Sequence, residues 1–66
     1  MMTMVIKENG IIINNYQAYA EDKAFVVVKK IDDEWWFEGA GNDEAWAYRA
    51  YEDCLRYADA AEIIRR

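Results

Sequence analysis

Short apolar runs separated by polar pairs fill the first half of the chain and predict β-strands. Asn9-Gly10 stands between the apolar runs Met4–Lys7 and Ile11–Ile13. Asn-Gly supplies the two left-handed residues that a type I′ turn needs, so these runs are expected to form a hairpin. After a break at Asn14-Asn15, aromatic and small residues alternate over Tyr16–Ala20, which is compatible with a further strand.

A second strand pair is predicted on either side of Asp32-Asp33. Ala24–Ile31 contains a continuous apolar run, and Glu34–Glu38 returns after the acidic pair. A two-residue turn opposes Lys30 with Trp35, Lys29 with Trp36, Val28 with Phe37 and Val27 with Glu38. Because neighbours along a strand point to opposite faces, Trp35 is predicted in the core and Trp36 is predicted to point outward.

The more apolar face of this strand pair is predicted to pack on a helix. That face consists of Val26, Val28, Trp35 and Phe37. The second face consists of Phe25, Val27, Lys29, Trp36 and Glu38. Three coverings of the second face fit the sequence: residues 14–23 with Tyr16 and Tyr19 folded over it, a second copy of the chain, or a foreign partner. A contiguous exposed aromatic patch is typical of an interface.

A change of hydrophobic period marks one helix after the loop predicted at Gly39–Gly41. Asn42 is predicted as the N-cap, and the acids that follow it suit the positive end of the helix dipole. The helix is expected over about residues 43–59, with an apolar stripe made of Ala47, Ala50, Tyr51, Cys54, Tyr57 and Ala58 and with Trp46 at its edge. Ile63 would fall on the charged face of this helix, which favours a short terminal strand over Glu62–Arg65. The alternative is one helix that continues to Arg66.

These elements predict an α+β fold, in which an antiparallel sheet of three to five strands is packed on one face by a single amphipathic helix. No proline or low-complexity linker divides the chain. Residues 1–66 are therefore expected to form a single domain, near the lower size limit for independent folding.

Charge is unevenly distributed along the chain. Residues 1–31 carry a net charge of +1 and residues 32–66 a net charge of −6, and no base lies between Lys30 and Arg49. That window holds Asp32, Asp33, Glu34, Glu38, Asp43 and Glu44. An acidic surface disfavours direct binding of nucleic acid and suits a partner protein with a basic surface. It is also typical of a small domain that charge keeps soluble.

The residue types that most catalytic sites need are missing. The chain has no histidine, so neither a catalytic triad nor a Cys/His zinc site can be assembled. Cys54 lies on the apolar helix stripe, where an inert thiol is expected. We predict no enzyme activity, no metal and no cofactor.

The sequence also predicts where the protein is found. No apolar run approaches the roughly 20 residues of a membrane span, and no signal-peptide pattern opens the chain. A lone thiol suits a reducing cytoplasm, which is the expected location.

The order of elements resembles that of the small acidic α+β proteins encoded by phages and prophages, including anti-CRISPR-type inhibitors. A hairpin is followed by a strand pair ending in E-W-W-F-E-G-A and by the acid-started helix N-D-E-A-W-A-Y-R-A-Y-E-D. The resemblance lies in architecture and charge. It implies an inhibitor in the host cytoplasm that occupies a basic, nucleic-acid-binding surface of a defence complex.

The candidate partner-binding residues combine acids with aromatic side chains: Asp32, Asp33, Glu34, Trp36, Glu38, Asp43, Glu44 and Trp46. The first hypothesis is a non-enzymatic binding protein that competes with DNA or RNA for a basic surface, with Trp36 or Trp46 as an apolar anchor. The alternative is a small homodimeric structural or accessory protein that buries Phe25 and Trp36 against a second copy.

Overall fold

The computed structural model describes residues 3–66. Its elements are β1 (Thr3–Glu8), β2 (Ile11–Gln17), a 3-10 helix (Ala18–Asp22), β3 (Phe25–Ile31), β4 (Glu34–Gly41), α1 (Glu44–Leu55) and β5 (Ala60–Arg65). The strands form one sheet in the order β1-β2-β4-β3-β5. The predicted α+β class, with one helix on a sheet of up to five strands, is confirmed.

Two hairpins lie side by side in this sheet. In the first turn Asn9 and Gly10 have φ of 53° and 78°, and in the second Asp32 and Asp33 have φ of 53° and 68°. Both predicted two-residue turns therefore have two left-handed central residues, as a type I′ turn requires. The hairpins meet through β2 and β4, which pair in parallel. The sheet is thus mixed rather than wholly antiparallel as predicted, and both turns lie at the same end of it.

A β-bulge interrupts the second hairpin. Lys29 pairs with Trp36 and Val28 with Phe37, as predicted, but Val27 pairs with Gly39. The predicted pairing of Val27 with Glu38 is therefore wrong by one residue, because Glu38 is the extra residue of the bulge.

The segment Gly39–Gly41 continues β4, so the prediction of a loop there is wrong. Its glycines lie beneath the indole of Trp46, where an added Cβ at Gly39 would be 3.0 Å from the ring and one at Gly41 would be 3.4 Å from it. Their small size lets α1 approach the strand, which is a reason for glycine in a strand interior.

The sheet separates two hydrophobic clusters. One contains Ile13, Tyr16, Ala20, Val26, Val28, Phe37 and Ile64. The rings of Tyr16 and Tyr19 meet Phe37 edge-on, at centroid distances of 5.4 and 5.9 Å. The 3-10 helix and the end of β2 therefore cover this side of the sheet.

The second cluster lies between the sheet and α1. It contains Val27, Ala47 and Cys54, with Phe25, Trp46, Ala50, Tyr51, Ala61 and Ile63 packed around them. The helix therefore packs on Phe25 and Val27, and the prediction that it packs on Val26, Val28, Trp35 and Phe37 is wrong. Of the three coverings considered for the Phe25 side, folding of residues 14–23 over it is wrong for the same reason. Alternation fixes which residues share a face, whereas the hand of the β4–α1–β5 crossover decides which face receives the helix.

Both ends of α1 differ from the prediction. Asp43, not Asn42, is the N-cap, and its Oδ1 accepts a hydrogen bond of 3.0 Å from the backbone N–H of Ala45. The Asn42 side chain instead accepts from the backbone N–H of Ala24, at 2.8 Å. The helix ends at Leu55, four residues before the predicted 59.

The terminal strand is confirmed. The backbone N–H of Asp59 donates to the carbonyl of Lys30 at 2.8 Å, and Ala60 pairs with Lys30 to begin β5. Ile63 then lies in the cluster beneath α1. Burial of Ile63 and the pairing with β3 decide against a helix that continues to Arg66.

Candidate functional site

The acidic window of the sequence does not form one surface. Asp32, Asp33 and Glu34 lie at the start of β4, whereas Asp43 and Glu44 follow its end. A strand of eight residues spans roughly 25 Å, close to the largest dimension of the molecule, 27 Å. The acids that are close in sequence are therefore divided between opposite ends of the fold.

The acids at the helix end have partners within the chain. Asp43 caps α1, and Glu44 forms an ion pair with Arg65. Arg65 also donates to the hydroxyl of Tyr48, at 3.2 Å, and stacks on the rings of Phe25 and Tyr48. These contacts join the first turn of α1 to β5, which is a structural role.

Glu38 is likewise engaged. It accepts a hydrogen bond of 2.7 Å from Lys29, which also donates to the hydroxyl of Tyr57 at 2.9 Å. The Glu38 hydrogen bond, more than the one to Tyr57, raises the pKa of Lys29 above its ordinary value. The two opposite charges offset each other, so this pair adds little net charge to the surface.

The remaining acids form a tight group, the acidic turn, defined as Asp32, Asp33 and Glu34. All three are exposed. Asp33 lies 3.5 Å from Lys30, but its side chain is 95% exposed, so this pair contributes little stability. Asp32 has no ion-pair partner within residues 3–66. Glu34 accepts one long hydrogen bond, 3.4 Å, from the side chain of Asn14.

The three tryptophans have different environments. Trp35 packs against the cluster beneath the 3-10 helix, as predicted for a core residue. Trp46 lies against Gly39 and Gly41 and is partly buried between helix and strand. Trp36 points to the helix side of the sheet, where it is 36% exposed. Of the two proposed anchors, Trp36 is therefore the one on the surface.

Trp36 is exposed because α1 does not extend over that part of the sheet. The helix packs on β3, β4 and β5. A helix about 10 Å across covers about two strands spaced by 4.8 Å, so one helix cannot cover five. Val27 is fully buried beneath α1 and Phe25 packs there too, so the predicted dimer face formed by Phe25 and Trp36 is wrong.

Two exposed apolar residues on the same side of the sheet as Trp36 were not predicted from the sequence. Val5 is 62% exposed and Ile12 is 58% exposed. They alternate in β1 and β2 with Ile6 and Ile13, which face the opposite cluster. The sequence could have predicted this exposed surface, because the first hairpin has apolar residues on both faces and only one helix is predicted to cover them.

Open depressions flank the acidic turn. One, of about 350 Å³, lies between the two hairpin turns and is lined by Gly10, Ile11, Ile12, Asn14, Asp33, Glu34 and Trp35. The other, of about 280 Å³, is lined by Asn15, Lys29, Ile31, Asp32, Glu34, Trp36 and Phe37. Because carboxylates line both depressions, they offer shallow, partly acidic contact surfaces.

Within residues 3–66 no buried side-chain N or O atom lacks a partner, and no three acidic or cysteine side chains converge as metal ligands.

No helix in the described part of the chain is long and apolar enough to cross a membrane. No protein-family model matches the chain, and searches of curated proteins and of solved structures found no match.

Proposed function

We propose that this protein is a non-enzymatic binding protein, whose acidic turn docks on a basic surface of a partner protein. The observation that carries the proposal is that Asp32 and Asp33 project from a two-residue turn with both backbones in the left-handed region. The turn is held by pairing on both sides, Ile31 with Glu34 and Lys30 with Trp35. A rigid turn presents its carboxylates with little loss of conformational entropy on binding.

The class of partner follows from the charge of the turn. Carboxylates without strong partners of their own gain charge-assisted hydrogen bonds from lysine or arginine. Taken with the resemblance to phage-encoded inhibitors, the target is a basic surface of a host defence complex that otherwise holds DNA or RNA. The protein then inhibits by steric and electrostatic occlusion in the host cytoplasm.

The acids at the far end of β4 have internal roles, so the charge match is local. We therefore assign recognition to Asp32 and Asp33 first. Electrostatic association of this kind accelerates binding at low ionic strength and weakens as salt rises.

The test is an affinity capture from a lysate of the native host at low and high salt. The variant Asp32→Asn/Asp33→Asn removes two charges, and asparagine tolerates the left-handed backbone as aspartate does. The matched control, Glu52→Gln/Glu62→Gln, removes two exposed acids elsewhere and gives the same net charge. We expect the turn variant to lose the partner and the control to retain it. Equal capture by both variants would refute the assignment.

A further inference from the structure

The part of the sheet that α1 leaves uncovered has an ordered pattern of side chains. This open face is the helix side of β1, β2 and the first half of β4, and it consists of Val5, Lys7, Ile12, Asn14, Glu34 and Trp36. Lys7 pairs with Ile12 across β1 and β2, and Asn14 pairs with Trp36 across β2 and β4. In β1, Val5 lies between Met4, which pairs with Tyr16, and Ile6, which pairs with Ile13. It therefore lies opposite Asn14 and Asn15, where β2 has one extra residue. Alternation places the six side chains on one side of the sheet.

The open face contains two rows that run across the strands. One row is Val5, Asn14 and Trp36; the other is Lys7, Ile12 and Glu34. The second row follows because Ile13 pairs with Trp35 in parallel, so the residues before them, Ile12 and Glu34, are also neighbours. Each row has one residue from β1, one from β2 and one from β4.

This pattern is complementary to itself. A two-fold axis that lies over β2 and runs along it exchanges β1 of one copy with β4 of another. Lys7 then faces Glu34 of the second copy, Val5 faces Trp36 of the second copy, and the two Ile12 side chains meet on the axis. An interface of this kind is isologous, since the same patch serves both subunits. We propose that the open face is the interface of a homodimer.

The charges of the open face favour a second copy over a basic partner. Lys7 has no ion-pair partner within the described chain, and the only hydrogen bond to the Glu34 side chain there is the long one from Asn14. Lys7 would repel a basic partner, whereas a second copy supplies an acid opposite it and a base opposite Glu34. The apolar residues Val5, Ile12 and Trp36 are exposed by 62%, 58% and 36% and would be buried together.

The size of the open face sets the strength of the dimer. Six residues comprise roughly a tenth of the 4222 Å² molecular surface, or about 400 Å² for each copy. A stable interface buries about 800 Å² for each partner, so this dimer is weak and its population depends on concentration. Because the axis runs along the strands, the acidic turns of both copies lie at the same end of the dimer. Glu34 belongs to both the acidic turn and the open face, but Asp32 and Asp33, to which recognition is assigned first, take no part in the dimer, so a failure of either proposal leaves the other standing.

The test is sedimentation equilibrium over micromolar to millimolar concentration. The native chain should show a reversible monomer–dimer equilibrium. Lys7→Glu and Glu34→Lys should each weaken dimerisation by about tenfold or more, because like charges then meet twice across the axis. The matched controls, Lys23→Glu and Glu62→Lys, make the same changes in net charge outside the open face and should leave the equilibrium unchanged.

Charge exchange gives a sharper outcome. The double variant Lys7→Glu/Glu34→Lys should recover dimerisation, since every pair across the axis is again opposite in sign. A mixture of the two single variants should form a heterodimer more readily than either forms a homodimer. A native chain that stays monomeric at millimolar concentration would overturn the proposal, as would dimerisation that is insensitive to both single variants. Lys7, Glu34 and Glu62 are exposed and Lys23 is half-buried, and circular dichroism verifies that each variant is folded.

Discussion

Arg66 and Glu8 join the two edges of the sheet through a pair of hydrogen bonds. Nε and Nη2 of Arg66, which follows β5, donate to the two carboxylate oxygens of Glu8, the last residue of β1, at 2.9 and 2.7 Å. Arg66 also donates to the hydroxyl of the buried Tyr16 at 2.9 Å and to the carbonyls of Ala20, Glu21 and Lys23. One side chain thus connects both edge strands to the 3-10 helix, across the side that α1 does not cover.

The first prediction concerns the stability that this contact provides. Arg66→Ala leaves the Glu8 carboxylate unpaired and removes a hydrogen bond from Tyr16, which is only 1% exposed. We expect a loss of about 1–3 kcal/mol in the free energy of unfolding. The Arg66–Glu8 contact has two charge-assisted hydrogen bonds between side chains that are only about a quarter exposed, so it is stronger than an ion pair in full contact with solvent. Urea denaturation measures this loss. Arg56→Ala, which breaks an ion pair between side chains 80% and 67% exposed, is the control and should cost less than about 0.5 kcal/mol.

The second prediction is the pH dependence of the same contact. The hydrogen bond from Arg66 lowers the pKa of Glu8 below its ordinary value. A carboxylate with a lowered native pKa adds stability that is fully present above its unfolded pKa, about 4.3, and is lost as pH falls through the native value. The difference in unfolding free energy between the native chain and Arg66→Ala should therefore be constant at neutral pH and shrink below about pH 4. An equal difference at pH 3 and pH 7 would contradict this origin.

The local parts of the fold were predictable because local chemistry specifies them. Asn9-Gly10 and Asp32-Asp33 predicted the positions of the two turns. The two-residue length of the second turn then predicted the pairing of Lys29 with Trp36. The extra residue Glu38 left no mark in the pattern, because a bulge shifts register without changing residue type.

The candidate site was predictable only in part. Alternation identified Trp36 as an outward residue, and composition identified the acids. Asp33 and Asp43 are close in sequence, but the eight extended residues of β4 lie between them and place them at opposite ends of the strand. Arg66 and Glu8 are 58 positions apart, and nothing in the sequence pairs them.

The third prediction concerns the contact between α1 and β4. Gly39→Ala would place a Cβ 3.0 Å from the Trp46 ring and force the indole to shift. We expect a loss of about 1–3 kcal/mol in the free energy of unfolding, typical of overpacking. Gly41→Ala is the control: its Cβ would lie 3.4 Å from the ring, so the change should be close to neutral. Thermal unfolding followed by tryptophan fluorescence measures both, and equal losses at the two glycines would argue against the close approach at Gly39.

The fourth prediction uses the single cysteine as a reporter of helix opening. Cys54 lies on the side of α1 that faces the sheet and is 1% exposed, and burial raises the pKa of its thiol. Both effects slow its reaction with a disulfide reagent, so labelling of the folded chain should be about 100-fold slower than in denaturant, or slower still. Tyr51→Ala, which loosens the packing around the helix, should accelerate labelling, whereas Arg49→Ala on the exposed face should not. Rapid labelling of the folded native chain would show that α1 opens readily.

The fifth prediction separates stability from recognition at the acidic turn. Asp33 has φ of 68° at the second central position of its turn, where glycine has no steric cost. Asp33→Gly should therefore raise the free energy of unfolding by about 0.5–1 kcal/mol, while removing one carboxylate from the proposed contact. If the turn binds a basic partner, the more stable variant should also capture less of that partner than the native chain. Asp33→Asn separates the two effects, because it removes the charge and keeps a side chain at the same backbone position. Equal losses of binding in Asp33→Gly and Asp33→Asn, with stability gained only in the first, would show that aspartate is retained here for recognition at the expense of turn stability.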